Sequence, residues 1–170
     1  ICKKLIYRHP HVFGDVTVSG SGQVLENWEE LKKKEKHQKT ASDSVDAVAR
    51  SLPGLWRAEK IQKKAAKVGF DWDSVDGAMA KLREETDELQ AAIRDGSNVE
   101  EELGDLLFAA VNVARFVKTD PEGAMTAACD KFARRFRAVE EAAQAQGREL
   151  SSMTLAEMDA LWDAVKQREA

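Results

Sequence analysis

From residue 51 onward the apolar side chains recur at alternating steps of three and four, and no segment shows the sustained step of two that a half-buried strand requires. That periodicity constrains the chain more than any other feature. Leu52, Leu55, Trp56, Glu59, Gln62 and Ala66 share one side of a first segment, capped by Ser51 with Pro53 in its first turn and ended by Gly69. Val75, Met79, Leu82, Thr86, Leu89 and Ile93 line a second helix over about 74–94, stopped by Asp95-Gly96. Ser97 to Glu100 has the S-x-x-E form of a capping box, and the third helix carries Leu103, Leu106, Leu107, Ala110, Val113, Ala114 and Val117 as its core stripe. Asp120-Pro121 opens a fourth, with Met125, Ala128, Phe132, Phe136, Val139 and Ala143 in phase until Gly147. Thr154 to Glu157 repeats the box ahead of Met158, Leu161, Trp162 and Val165. Each stripe buries its apolar side only against the others, so the expected fold is an all-α helix bundle.

Composition agrees: 33% of the residues are charged and 6% aromatic, which suits helices better than a β sandwich. A formal net charge of −4 argues against a nucleic-acid partner, because such domains carry a positive field. Cys2 and Cys129 stand far apart with no CxxC pair, so a disulfide framework and a zinc ribbon are both unsupported and a reducing cytoplasm is expected. No apolar run approaches the roughly 20 residues of a membrane span, so no membrane partner is expected, and the start has no signal-peptide pattern. The missing initiator Met suggests a processed or excised fragment.

The residues that carry chemistry lie beside the apolar stripes. Glu85 and Glu88, three apart, project from nearly the same helix face as Ala78, Lys81 and Ala92; Glu102 and Asp105 repeat the spacing on a row through Ala109 and Asn112. The short connection at Asp95-Gly96 makes the two helices antiparallel neighbours, so the pairs converge. Four carboxylates at close range repel by several kcal/mol at an effective dielectric near 20 unless protons or a cation neutralise them. A hard divalent cation with oxygen ligands, Mg²⁺ first, fits the donors. The plainer alternative is a solvated acidic face paired with lysines. A di-iron bundle would need E-x-x-H motifs, and His9, His11 and His37 all precede the bundle.

Glu84-Glu85-Thr86-Asp87-Glu88, thirteen residues, then Glu102-Leu103-Gly104-Asp105 resembles the E-E-x-x-E … E-x-x-D signature of the all-α nucleoside triphosphate pyrophosphohydrolases, in particular the MazG family. The likeness runs over about residues 50–168, through Ala58 to Lys63, Val68 to Trp72, Glu101 to Phe108 and Lys131 to Phe136. It implies a dimeric enzyme that cleaves ribo- and deoxynucleoside triphosphates to a monophosphate and pyrophosphate with Mg²⁺, Mn²⁺ serving as a substitute. Glu85, Glu88, Glu102 and Asp105 would hold the metal. Lys81, Glu101, Lys131, Arg134, Arg135 and Trp162 would contact the nucleotide. The general base is a carboxylate in or beside the cluster, with Glu84 the spare candidate. A non-catalytic helical dimerisation module and a narrower dUTP hydrolase stand as alternatives.

Ile1 to His9 aligns without gaps to Ala128 to Phe136, repeating Cys, Lys and Arg at identical offsets. Because MazG-like proteins carry two domains in tandem, residues 1–13 are expected to be the end of an upstream copy, residues 14–50 a linker with one charged helix, and residues 51–170 the domain with the one complete site.

Overall fold

The computed structural model describes residues 2–35 and 40–169. The described residues form helices and connecting turns, with no strand among them: α1 (Cys2–Arg8), α2 (Pro10–Phe13), α3 (Ser21–Glu35), α4 (Ala41–Asp46), α5 (Gly54–Ala66), α6 (Val75–Asp95), α7 (Val99–Phe116), α8 (Pro121–Ala145) and α9 (Leu155–Glu169). It divides into two compact units, Ile1–Val113 and Ala114–Ala170.

In the first unit α1 packs on α2 and α3, and α4 on α5. The Arg8 guanidinium is buried and lies 5.6 Å over the Trp28 ring, a cation–π contact that joins α1 to α3. The last residues of the expected charged helix, 36–39, lie outside the described residues. Thr40 to Asp46, expected as a polar linker, instead forms α4. Thr40 accepts from the Asp43 amide while the Asp43 carboxylate accepts from the Thr40 amide, a reciprocal box that outweighs the polar composition.

Local chemistry sets most helix ends. Ser74 caps α6 by accepting from the Asp76 amide, and Asp120 caps α8 from the Glu122 amide with Pro121 in the first position. Gly96 (φ 68°) and Gly147 (φ 68°) close α6 and α8 in the left-handed conformation. Two expected caps are absent. Ser51 does not cap α5, whose N-cap is Pro53. Ser97 does not cap α7, because Asn98, which would be the first helical residue, has φ 51° and so lies outside the right-handed helix.

Small residues dominate what is buried. In the first unit these are Ala78 and Ala92 on α6 and Ala109 and Val111 on α7, Val111 being the largest fully buried side chain among the described residues; in the second they are Val139 and Ala143 on α8 and Val165 on α9. The expected stripes are only partly right. Leu103 and Leu107 on α7, Val117 just after it, Met125, Phe132 and Phe136 on α8, and Trp56 and Ile93 are all more than a third exposed. Small residues let helices approach closely, whereas bulky ones need a facing layer to fill.

In the second unit α8 packs along α9. Phe132 lies 5.2 Å from the Trp162 ring and 6.0 Å from Phe136. Thr154 and Glu157 form the expected box at the start of α9, preceded by an unforeseen 3-10 turn at Leu150–Ser152. Arg148 donates to Glu157 at 2.7 Å; with the Thr154 amide and hydroxyl it holds that carboxyl down at about 2. No described helix is long and apolar enough to cross a membrane.

Candidate active site

A row spaced by seven, Ala78, Glu85 and Ala92, forms the buried face of α6, so Glu85 sits between two alanines with only 6% of its surface exposed. A carboxylate there loses much of its hydration and must be compensated. Part of the compensation is local: Lys81, one turn earlier, donates to Glu85 at 2.8 Å and to Glu84 at 2.8 Å, which pushes the ammonium pKa up.

The rest of the surroundings adds negative charge. After the Gly96–Asn98 turn, α7 brings Glu102 and Asp105 to the same place, so that one oxygen each of Glu85, Glu102 and Asp105 lie within 4.8 Å of one another. Glu102 is half-buried and Asp105 exposed. Glu88 is not the fourth member of this trio. Its carboxyl is exposed, and its pKa is raised, chiefly by lost hydration and then by the nearby Glu85 charge. Three hard oxygen donors, one buried, against the single ammonium of Lys81 are chemically suited to Mg²⁺ or Mn²⁺.

Glu84, the spare base candidate, is 57% exposed and held by Lys81; Glu101 is exposed on the first turn of α7. Gln62 of α5 donates its amide to the Phe108 carbonyl on α7 at 2.7 Å. Gln62 is buried, and its side-chain oxygen has no hydrogen-bond partner among the described residues.

The expected nucleotide contacts on α8 and α9 belong to the second unit. Lys131 is exposed on α8 and Trp162 is half-buried against Phe132. Arg134 and Arg135 both bind Glu169 of α9, at 3.2 Å and 2.7 Å. With Lys166 these residues line an open hollow of about 480 Å³. Lys166 and Glu169 were not singled out from the sequence: they stand more than 30 residues from the arginines, and no local spacing links them.

Together these features define an all-helical protein with a carboxylate cluster on one pair of helices and a guanidinium cluster on another. Residues 74–139 match the model of the MazG nucleotide pyrophosphohydrolase domain. The chain is 45% identical over 173 residues to the nucleoside triphosphate pyrophosphohydrolase of Escherichia coli (strain K12), covering 99% of this chain and 66% of that protein. It is 40% identical over 164 residues to the nucleoside triphosphate pyrophosphohydrolase/pyrophosphatase MazG of Thermotoga maritima, covering 96% and 62%. It is 48% identical over 172 residues to the uncharacterized protein YabN of Bacillus subtilis, covering 99% and 35%. The chain thus spans about two thirds or less of the length of these relatives. It belongs to the MazG family.

Proposed function

We propose that the chain hydrolyses ribo- and deoxynucleoside triphosphates to the monophosphate and pyrophosphate, with Mg²⁺ as cofactor. The observation that carries the reading is the convergence of Glu85, Glu102 and Asp105 around a buried carboxylate, in a chain whose family is one of nucleotide pyrophosphohydrolases. These three residues would hold the metal, and Glu88, one turn from Glu85 on the same helix, would complete the set. Bound Mg²⁺ supplies charge neutralisation for the phosphate oxygens and lowers the pKa of water.

The chain's own residues do the rest. Lys81 bridges Glu84 and Glu85 and would fix their rotamers. Lys131, Arg134 and Arg135 would bind phosphate oxygens, the arginines as forks and the lysine as a point charge. Lys81 and Glu101 would flank the nucleotide, and Trp162 would offer its ring to the base. Water attacks the α-phosphorus, the bond to the bridging oxygen of the β-phosphate breaks, and a carboxylate, with Glu84 available, accepts the water's proton.

A homodimer is part of the proposal, supported by bulky residues that the chain leaves exposed: Leu103, Leu107 and Phe108 on α7, and Met125, Phe132 and Phe136 on α8. The domain reading also stands as a proposal, with residues 51–170 the catalytic part and residues 1–13 and 14–50 an appendage. Incubation with a panel of ribo- and deoxynucleotides and Mg²⁺ should release monophosphate and pyrophosphate; diphosphate and orthophosphate as products would overturn the reading.

A further inference from the structure

The guanidinium cluster of the second unit already holds an anion of its own. Glu169 presents both carboxylate oxygens, Oε1 to Arg134 Nε at 3.2 Å and Oε2 to Arg135 Nε at 2.7 Å. A carboxylate bridging two guanidiniums makes the same charge-assisted contacts as two oxygens of a phosphate. Arg135 is 20% exposed, whereas Arg134 is 62% exposed, so the fork is anchored on one side and reachable from solvent on the other. Lys166, one turn before Glu169, lines the same open hollow; it also pairs with Asp163 at 3.1 Å, so the three cations and two carboxylates carry a net charge of +1. The surplus favours a polyanion even while Glu169 is in place.

We propose that Glu169 is an internal competitor for this anion site, a latch that occupies Arg134 and Arg135 until an oligophosphate displaces it, with Lys166 as the third cation of the site. The inference rests on the reading above in which the two arginines bind substrate phosphates. The arginines hold the Glu169 carboxyl below its usual range, so the latch stays charged at neutral pH. Displacement costs little, since exposed ion pairs are weak in water. The latch therefore sets the threshold of phosphate affinity rather than blocking the site.

The test is metal-free binding of inorganic tripolyphosphate, measured by calorimetry in chelator so that the carboxylate cluster contributes nothing through a cation. Glu169→Gln should tighten binding by about three- to tenfold, Glu169→Ala should do the same, and the gain should vanish when Arg135 is also changed to Gln. Asp159→Asn removes an equal charge ten residues earlier on α9, about 15 Å along the axis and beyond a Debye length, and should stay within twofold of the parent. Unchanged or weaker binding in a folded Glu169→Gln protein overturns the latch. Tightened binding in a chain that hydrolyses no nucleotide would sustain the latch and overturn the enzymatic reading. Normal hydrolysis without tightening would do the reverse.

Discussion

The two charged clusters differ in how their charge is balanced. On α6 and α7, Glu85, Glu102 and Asp105 meet with Glu88 alongside, and one ammonium, Lys81, serves both Glu84 and Glu85. On α8 and α9, the guanidiniums of Arg134 and Arg135 share a carboxylate from their own chain. The first cluster gathers more carboxylates than the Lys81 ammonium offsets, and one of its members is buried. The second pairs its two arginines with a carboxylate of its own chain, which a ligand would displace by exchange. Removing a residue from the first should therefore cost function heavily, while removing the counter-ion of the second should increase affinity.

The sharpest way to break this contrast is Glu85→Gln or Glu102→Gln, either of which should lower nucleotide turnover by on the order of 100-fold or more. Steady-state rates near those of the parent would mean that the trio is only a charged surface. Next in size is the response to metal. Mg²⁺ at a hundredfold excess over its Kd should stabilise the parent by about 2.7 kcal/mol, because it binds the native state alone. In chelator, Glu88→Gln should melt at the same temperature as the parent or higher, since it removes a charge that Glu85 repels. In Mg²⁺ it should gain less. Equal gains in both melting curves would exclude Glu88 from the ligand set.

A smaller effect tests whether the second unit is as self-contained as its charges suggest. Thr154→Ala removes the hydroxyl from the box at α9 and should cost about 1 kcal/mol, read as a lowered Tm. The Arg148–Glu157 clamp beside it adds a pH signature. With the Glu157 carboxyl lowered from 4.5 to about 2, its contribution is complete above about pH 4.5 and is lost as pH falls through about 2. Acid melts of Glu157→Gln should lack that component, and a parallel pH profile would contradict it. The least effect is expected from deleting residues 1–39. This removes α1–α3, which pack on one another, and the Arg8–Trp28 contact with both its partners, but spares the Thr40 cap. The rate per site should stay within a few-fold, and complete loss in a folded protein would place the appendage in the working site.

The contrast also explains what could be read in advance. Glu85 with Glu88 and Glu102 with Asp105 were legible because three residues along a helix share a face and a short glycine turn links the two helices. Ser74, Asp120-Pro121 and the Thr154 box were legible for the same local reason. The Ser97 box was misplaced because the S-x-x-E pattern says nothing of the φ of the residue between, and Asn98 took up the turn. The α4 helix was missed because its composition is that of a loop and only the reciprocal Thr40–Asp43 geometry organises it. Glu169 was invisible because its partners lie 34 and 35 residues away. The bulky stripes of α7 and α8 were not a legible core: Leu103, Leu107, Phe132 and Phe136 are each more than a third exposed, because periodicity gives a face and not what covers it.

The turn at Gly96–Asn98 also bears on the order of folding. Glu85 is separated from Glu102 and Asp105 by only 17 and 20 residues, and almost all of that interval is helix. Closing so short a loop costs little chain entropy, and contacts this local form on the timescale of helical hairpins rather than of distant docking. The carboxylates are thus brought into mutual repulsion early, before a more distant part of the chain can shield them. A divalent cation present during refolding would relieve that repulsion at the step where it arises. Stopped-flow refolding with and without Mg²⁺ should then show the ion acting on the folding limb of the chevron as well as the unfolding limb. For this chain, the metal would be a participant in folding before it is a participant in chemistry.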